Sequence, residues 1–328
     1  MQRLTTVLCA LLVSVVLLSG CAEQERSDSL SGDANISIVA TIFPQYDWVR
    51  HIIGQENMDR FDVNLLIDQR VDLHSFSPSV SDIAAILQSD VFIYIGGHSD
   101  NWVEAVLQDA SPDMVTMNLM SYLNIEHLLE GFCDEECDVD HDHNYSGGDF
   151  SADEHIWLSL RFVQTLSAAI ADMLAEVDPE NAEAYRANAA AYIAQLAALD
   201  AEYQAVADAA NINTLVFADR FPFRYMMSDY GITYYAAFQG CSAETEASFV
   251  TIISLANRIN QYDLNVVMVT ETSDQSIART VIENTNDGNQ QILVLDGMKS
   301  VTAADISAGV TYLSIMEDNL SVLREALN

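Results

Sequence analysis

The feature that most constrains how this chain can fold is a run from Asp178 to Ala209, dense in Ala, Leu, Glu and Gln and without a single Gly. Such a composition favours an α-helix, because Ala and straight-chain residues lose little freedom there. Asp178 followed by Pro179 supplies the start signals, a side-chain acceptor and a residue whose φ is already helical. A helix of about thirty residues reaches about 45 Å. Lying in mid-chain, it predicts a connecting spine over 178–210.

The stretches on either side of the spine follow one scheme. Short apolar runs, most of them rich in Val and Ile, predict strands at 36–40, 63–67, 91–95 and 114–118, then at 214–217, 233–237, 266–270 and 291–295. Helical apolar spacing falls between them at 46–53, 81–88 and 101–107, with Ser81 as the cap of the second, and a helix over 304–326 closes the chain. Alternation of this kind predicts an α/β fold of two βα lobes, 36–177 and 211–328, each with a mainly parallel four-stranded sheet. Open sheets bind ligands beyond the carboxyl ends of their strands. The expected site is the cleft between the lobes.

Ahead of the first lobe stand Arg3, an apolar stretch over 7–18, and Ser19-Gly20-Cys21. The stretch is too short to cross a hydrocarbon core of about 30 Å, and the acidic, Ser-rich residues after it give no stop-transfer flank. It reads as a secretory signal over 1–20. Leu18-Ser19-Gly20-Cys21 resembles a bacterial lipobox. That resemblance implies a lipid on Cys21, a polar tether over 21–35, and an extracytoplasmic protein anchored to the outer face of the cell membrane.

Charge narrows the partners. Acidic residues number 49 against 13 basic ones, with Lys299 the sole lysine, so nucleic-acid phosphates and anionic headgroups are repelled. Beyond Cys21 the mature chain has Cys133, Cys137 and Cys241, an odd number that argues against a disulfide framework. A bridge between Cys133 and Cys137 stays open.

Four features fall at strand ends or nearby loops: Asp72-Leu73-His74, Asp153-Glu154-His155 with its His in the first turn of a helix, Asp219 and Glu271. Imidazole nitrogen and carboxylate oxygen together suit zinc, which takes four such ligands tetrahedrally. Singly, each has a plainer use: a strand-end carboxylate caps a helix, and a lone His fills a core or sits on the surface. Their shared placement at one end of two sheets is what singles them out.

Longer landmarks then come into register. Thr41-Ile42-Phe43-Pro44, Asp72-Leu73-His74 through Asp82, Phe92-Ile93-Tyr94-Ile95-Gly96-Gly97, Asp153-Glu154-His155-Ile156-Trp157-Leu158-Ser159 and Gly240-Cys241-Ser242-Ala243-Glu244-Thr245-Glu246 occur in this order. Together they resemble the zinc- and manganese-binding solute receptors of ABC importers, the ZnuA-like or TroA-like family. The resemblance implies a metal between two lobes joined by a long helix, held by His74, His155 and Glu271. Where the family carries a third His this chain has Ala218, and Asp219 beside it is the expected substitute. A salt bridge to Arg220 or Arg224 is the competing role for Asp219, and His98 is the rival ligand. Replacing an imidazole by a carboxylate moves a site toward harder metals, so zinc is expected and manganese is tolerated.

Nine acids and no Lys or Arg fall between Gly131 and His155, and the loop over 131–153 within that stretch also carries His141 and His143. It resembles a short version of the family's His-rich acidic loop and implies auxiliary metal contact. A solvated loop is the plainer reading. The family implies a monomeric receptor, not an enzyme, that hands its metal to an ABC permease driven by a cytoplasmic ATPase. No GxxxxGK[ST] phosphate loop occurs in the chain itself. Two other classes remain in view. A zinc metallohydrolase keeps an open coordination position beside a general base, and no HExxH motif is present. A surface adhesin fits the anchor alone and gives no reason for ligand candidates to gather at one cleft.

Overall fold

Residues that parallel sheets bury on both faces, chiefly Val, Ile, Leu and Phe, fill the central strands of this protein. The computed structural model describes residues 35–68, 73–129, 152–238 and 247–328. One sheet is built from β1 (Ile36–Ala40), β2 (Phe61–Leu65), β3 (Val91–Tyr94) and β4 (Val115–Asn118), in the order β2-β1-β3-β4. The other is built from β5 (Thr214–Phe217), β6 (Thr233–Ala236), β7 (Val266–Thr270) and β8 (Gln291–Leu295), in the order β6-β5-β7-β8. All pairs are parallel, and both sheets have the same order when counted from their own first strand. The α/β class and the two four-stranded sheets are those the alternation predicts.

Helices connect the strands. In the first lobe these are α1 (Phe43–Ile53), α2 (Val80–Leu87) and α3 (Asn101–Leu107). Next come α4 (Leu160–Val177) and the long α5 (Ala182–Asp208). The second lobe adds α6 (Arg224–Asp229), α7 (Phe249–Tyr262), α8 (Ser276–Glu283), α9 (Ala303–Ser307) and α10 (Tyr312–Ala326). On α5 the buried residues are Tyr185, Ala189, Tyr192, Leu196, Leu199 and Tyr203, which recur at alternating steps of four and three. That spacing lays one apolar stripe along the helix, and the stripe packs on α4 and α1.

Several local expectations are corrected. The strand expected at 63–67 starts at Phe61, which is buried. Its pairing nevertheless runs on to Ile67, whose N–H donates to the Thr41 carbonyl at 3.0 Å. Ser79, not Ser81, caps α2: its hydroxyl accepts from the Asp82 N–H while the Asp82 carboxylate accepts from the Ser79 N–H, a reciprocal box. Asp178 makes no capping bond, and a short 3-10 turn, Pro179–Asn181, precedes α5. The closing helix is broken in two at Gly309, whose φ of +94° a residue with a Cβ adopts only under strain.

The lobes are also joined away from the spine. The N-terminus of α10, in the second lobe, meets α1 of the first: Tyr312 N–H donates to Asp47 Oδ2 at 3.0 Å and the Tyr312 ring meets Trp48 edge-on. The Tyr312 hydroxyl donates to the Trp157 carbonyl at 2.8 Å. Beside these bonds Ile42, Phe43, Ile67 and Leu73 face Trp157, Met298 and Val301 across an apolar pocket. Among the described residues no helix is long and apolar enough to cross a membrane.

Candidate metal site

His74 follows β2, in a short 3-10 turn over Leu73–Ser75. His155 stands just before another such turn, Ile156–Leu158, and not in the first turn of a helix; α4 begins at Leu160 with Ser159 as its cap. Separated by 81 positions in sequence, the two imidazoles meet with Nε2 facing Nε2 at 3.1 Å. Their ring centroids are 5.1 Å apart.

Two consecutive carboxylates set this arrangement. Glu154 Oε1 lies 2.7 Å from His74 Nδ1, and Asp153 Oδ1 lies 2.7 Å from His155 Nδ1. Ser99 completes the first pair: its N–H donates to Glu154 Oε2 at 2.9 Å, its hydroxyl donates to Oε1, and the same hydroxyl lies 2.8 Å from His74 Nδ1. Burial pushes the carboxyls of Asp153 and Glu154 upward. The charge and hydrogen bonds of His155 with the charge of Arg224 outweigh it for Asp153, and bonds from His74 and Ser99 outweigh it for Glu154, so both lie below the usual carboxylate range. An ionised carboxylate only accepts, so a proton on each Nδ1 suits these pairs, and a neutral ring held this way turns the Nε2 lone pair toward the other ring. Behind Ser99, burial pushes the Asp100 carboxyl up to about 6, helped by the Glu154 charge and opposed by a bond from Gly96 N–H.

The second-lobe candidates stand at strand ends and already hold backbone. Asp219, after β5, accepts from Thr270 N–H at 3.0 Å and Thr270 Oγ1 at 2.8 Å through Oδ2, and from Arg220 N–H at 2.8 Å through Oδ1. Glu271, after β7, accepts from Gly297 N–H at 2.9 Å and Lys299 N–H at 2.8 Å. A carboxylate has about four acceptor positions, so these bonds leave Oδ1 of Asp219 and both oxygens of Glu271 able to take a cation. Among the described residues no group of three or more His, Cys, Asp or Glu side chains is placed to hold a metal. The structure thus brings together His74 and His155 and leaves Asp219 and Glu271 engaged with the ends of neighbouring strands.

His98 is exposed and hydrogen-bonds Asn101. Its neighbour Ser99 is the residue that reaches His74. Cys21, Asp72, Cys133, Cys137, His141, His143 and the landmark over 240–246 lie outside the described residues. The supporting residues Asp153, Glu154 and Ser99 are not ligand candidates by sequence alone. The signal for two of them is their place beside His155 in one short acidic motif.

The fold is that of a bilobal α/β binding protein, with paired imidazoles at the carboxyl ends of its first sheet. The chain matches the family described as "ZnuA: Zinc-uptake complex component A periplasmic" over residues 38–326, and it belongs to that family. It is 29% identical to the zinc-binding lipoprotein AdcA of Streptococcus pneumoniae over 99% of its own length and 61% of that protein. Against the high-affinity zinc uptake system protein ZnuA of Bacillus subtilis it is 27% identical, covering 95% of this chain and 94% of that one. The crystal structure of the Zn(II)-bound ZnuA-like domain of S. pneumoniae AdcA is similar to it with a TM-score of 0.71 and 27% identity, over 90% of this chain and 99% of that domain. The chain spans about three fifths of the length of the AdcA relatives it matches.

Proposed function

We propose that this protein is the extracytoplasmic zinc-binding component of an ABC importer, a receptor and not an enzyme. It captures zinc as cargo and passes it to a membrane permease coupled to a cytoplasmic ATPase. The observation that carries the reading is the 3.1 Å separation of His74 Nε2 and His155 Nε2. Two nitrogens bound to one tetrahedral zinc at about 2.0–2.1 Å stand about 3.3 Å apart. The imidazole pair is therefore preset near one edge of a zinc tetrahedron. Membership of a zinc-uptake family and similarity to zinc-named relatives support the same cargo.

Asp219 and Glu271 are the proposed carboxylate ligands from the second lobe, and they make manganese the natural competitor. His141 and His143 are proposed as auxiliary contacts that collect zinc outside the cleft. A lipid on Cys21 keeps a monomeric receptor at the membrane face, with 21–35 as its tether. Anchoring of this kind needs more than one acyl chain, since a single chain binds only marginally.

Titration of metal-stripped protein with zinc and manganese tests the reading. One tight zinc site that weakens sharply in His74→Ala and in His155→Ala is expected, with manganese bound less tightly. Unchanged tight binding in both variants would sink the assignment. Cys21→Ala should move the protein from the membrane fraction to the soluble one, and continued membrane retention would remove the anchor.

A further inference from the structure

The segment that carries His155 belongs to the first lobe in sequence, yet the second lobe holds it. Arg224, the first residue of α6, donates from Nη1 to Asp153 Oδ2 at 3.3 Å, and the Tyr225 hydroxyl donates to the Asp153 carbonyl at 2.7 Å. At the other end of α6, Asp229 accepts from the Ser159 hydroxyl at 2.6 Å. Between them, Trp157 Nε1 donates to the Gly297 carbonyl at 3.0 Å. The short helix therefore grips 153–159 at both ends.

Asp153 is the shared element. Its Oδ1 faces His155 Nδ1 and accepts the His155 backbone N–H, while Oδ2 takes the guanidinium of Arg224. A carboxylate engaged through both oxygens by partners on different lobes cannot rotate and keep both. His74 is held differently, by Ser99 and Glu154, and Glu154 is itself pinned by Ser99 in the first lobe.

We propose that Arg224 is a positioning residue for His155, acting through Asp153, so that the seating of the second lobe fixes the direction in which His155 Nε2 points. This rests on the reading of His155 as a zinc ligand. Displacing the second lobe would then loosen one nitrogen donor while His74 stays in place. Of the two imidazoles, His155 would release zinc before His74. The opposing effect of Arg224 is its charge: a cation near a bound dication repels it, so deleting an arginine that acted only through charge would tighten zinc. The two roles differ in sign.

The test measures zinc dissociation from loaded full-length protein after mixing with excess chelator. Arg224→Gln should accelerate dissociation by about 10-fold, the lower end of the loss in metal affinity seen when a partner behind a metal-bound His is removed, because the Asp153 carboxylate itself stays. Arg224→Lys should restore most of the slow rate, and Arg224→Gln should add nothing in an Asp153→Asn background. Arg224→Met, similar in reach, provides a second uncharged variant, and the melting midpoint of metal-free protein separates loss of orientation from loss of fold. Dissociation from Arg224→Gln and Arg224→Met at or below the wild-type rate would overturn the proposal. So would an effect fully additive with Asp153→Asn. His155→Ala distinguishes the other failure: if it binds zinc as tightly as wild type, the ligand reading itself is wrong.

Discussion

Glu154 Oε1 lies 2.7 Å from Nδ1 of His74, a residue eighty positions away in the chain, while Asp153 next to it serves His155 in the same manner. One dipeptide thus orients both rings. Glu154→Gln keeps the shape and removes the charge, so His74 Nε2 becomes less basic and less firmly aimed. Zinc affinity should fall by about 10- to 100-fold, measured by competition with a chelating dye. An unchanged affinity would show that Ser99 alone suffices to orient His74.

Asp219 and Glu271 have two duties in this reading, which substitution separates. Asp219→Ala strands the Thr270 N–H and hydroxyl, and Glu271→Ala strands the N–H groups of Gly297 and Lys299. Each unsatisfied group costs about 1–3 kcal/mol where it is buried. Both variants should melt lower than wild type without metal and also bind zinc more weakly. A variant that melts lower with zinc affinity intact would leave that carboxylate a loop staple and remove it from the ligand set.

Asp178, which shares no partner with the proposed metal site, gives a pH dependence of its own. Its carboxylate takes two bonds from Arg60, at 3.0 and 2.9 Å, and others from Tyr185 and Asn181, and it is 3% exposed. Burial pushes its carboxyl up, but these partners outweigh burial and hold it below the usual range. A lowered folded-state value means stability that is fully present above the unfolded value of about 3.9 and is lost as pH falls through the folded value. Asp178→Asn should cost about 2 kcal/mol at neutral pH, and the difference from wild type should shrink on acidification below about pH 3.9. Urea melts at several pH values check this; a difference that persists undiminished in acid would deny the charge any part.

Gly96 and Gly97, both at positive φ, begin the loop that carries Ser99 to His74. A Cβ on Gly96 would stand 2.2 Å from Asn118 Oδ1, at a φ of +84°. Gly96→Ala should destabilise the protein by at least about 2 kcal/mol and weaken zinc binding through Ser99. A melting midpoint equal to wild type would show that the loop relaxes freely.

Much of the fold was legible in the sequence because burial and period agree there. Val266–Thr270 is buried throughout and apolar up to its last residue, as a central parallel strand requires. Local chemistry misled where two signals competed. Ser81 was the expected cap, but Ser79 with Asp82 three residues on forms the reciprocal box, and that pairing outranks a lone hydroxyl. Asp178 looked like a cap and is instead recruited by Arg60, a partner 118 residues away that no local pattern reveals. The site divides in the same way. No spacing rule connects His74 with His155, and the family resemblance is what paired them. The roles of Ser99, Asp153 and Glu154 emerge only when loops from distant parts of the chain are placed side by side.

The bond from Tyr312 to Asp47 spans 265 residues. It follows that the first lobe lacks part of its packing until the last helix has been made. Until Tyr312 is in place, Asp47 has no helix end to hold and Trp48 lacks the ring that packs against it. A chain arranged this way closes its aromatic interior last, when its two ends meet, so the contact between them reports on completion of the whole fold and not of one lobe.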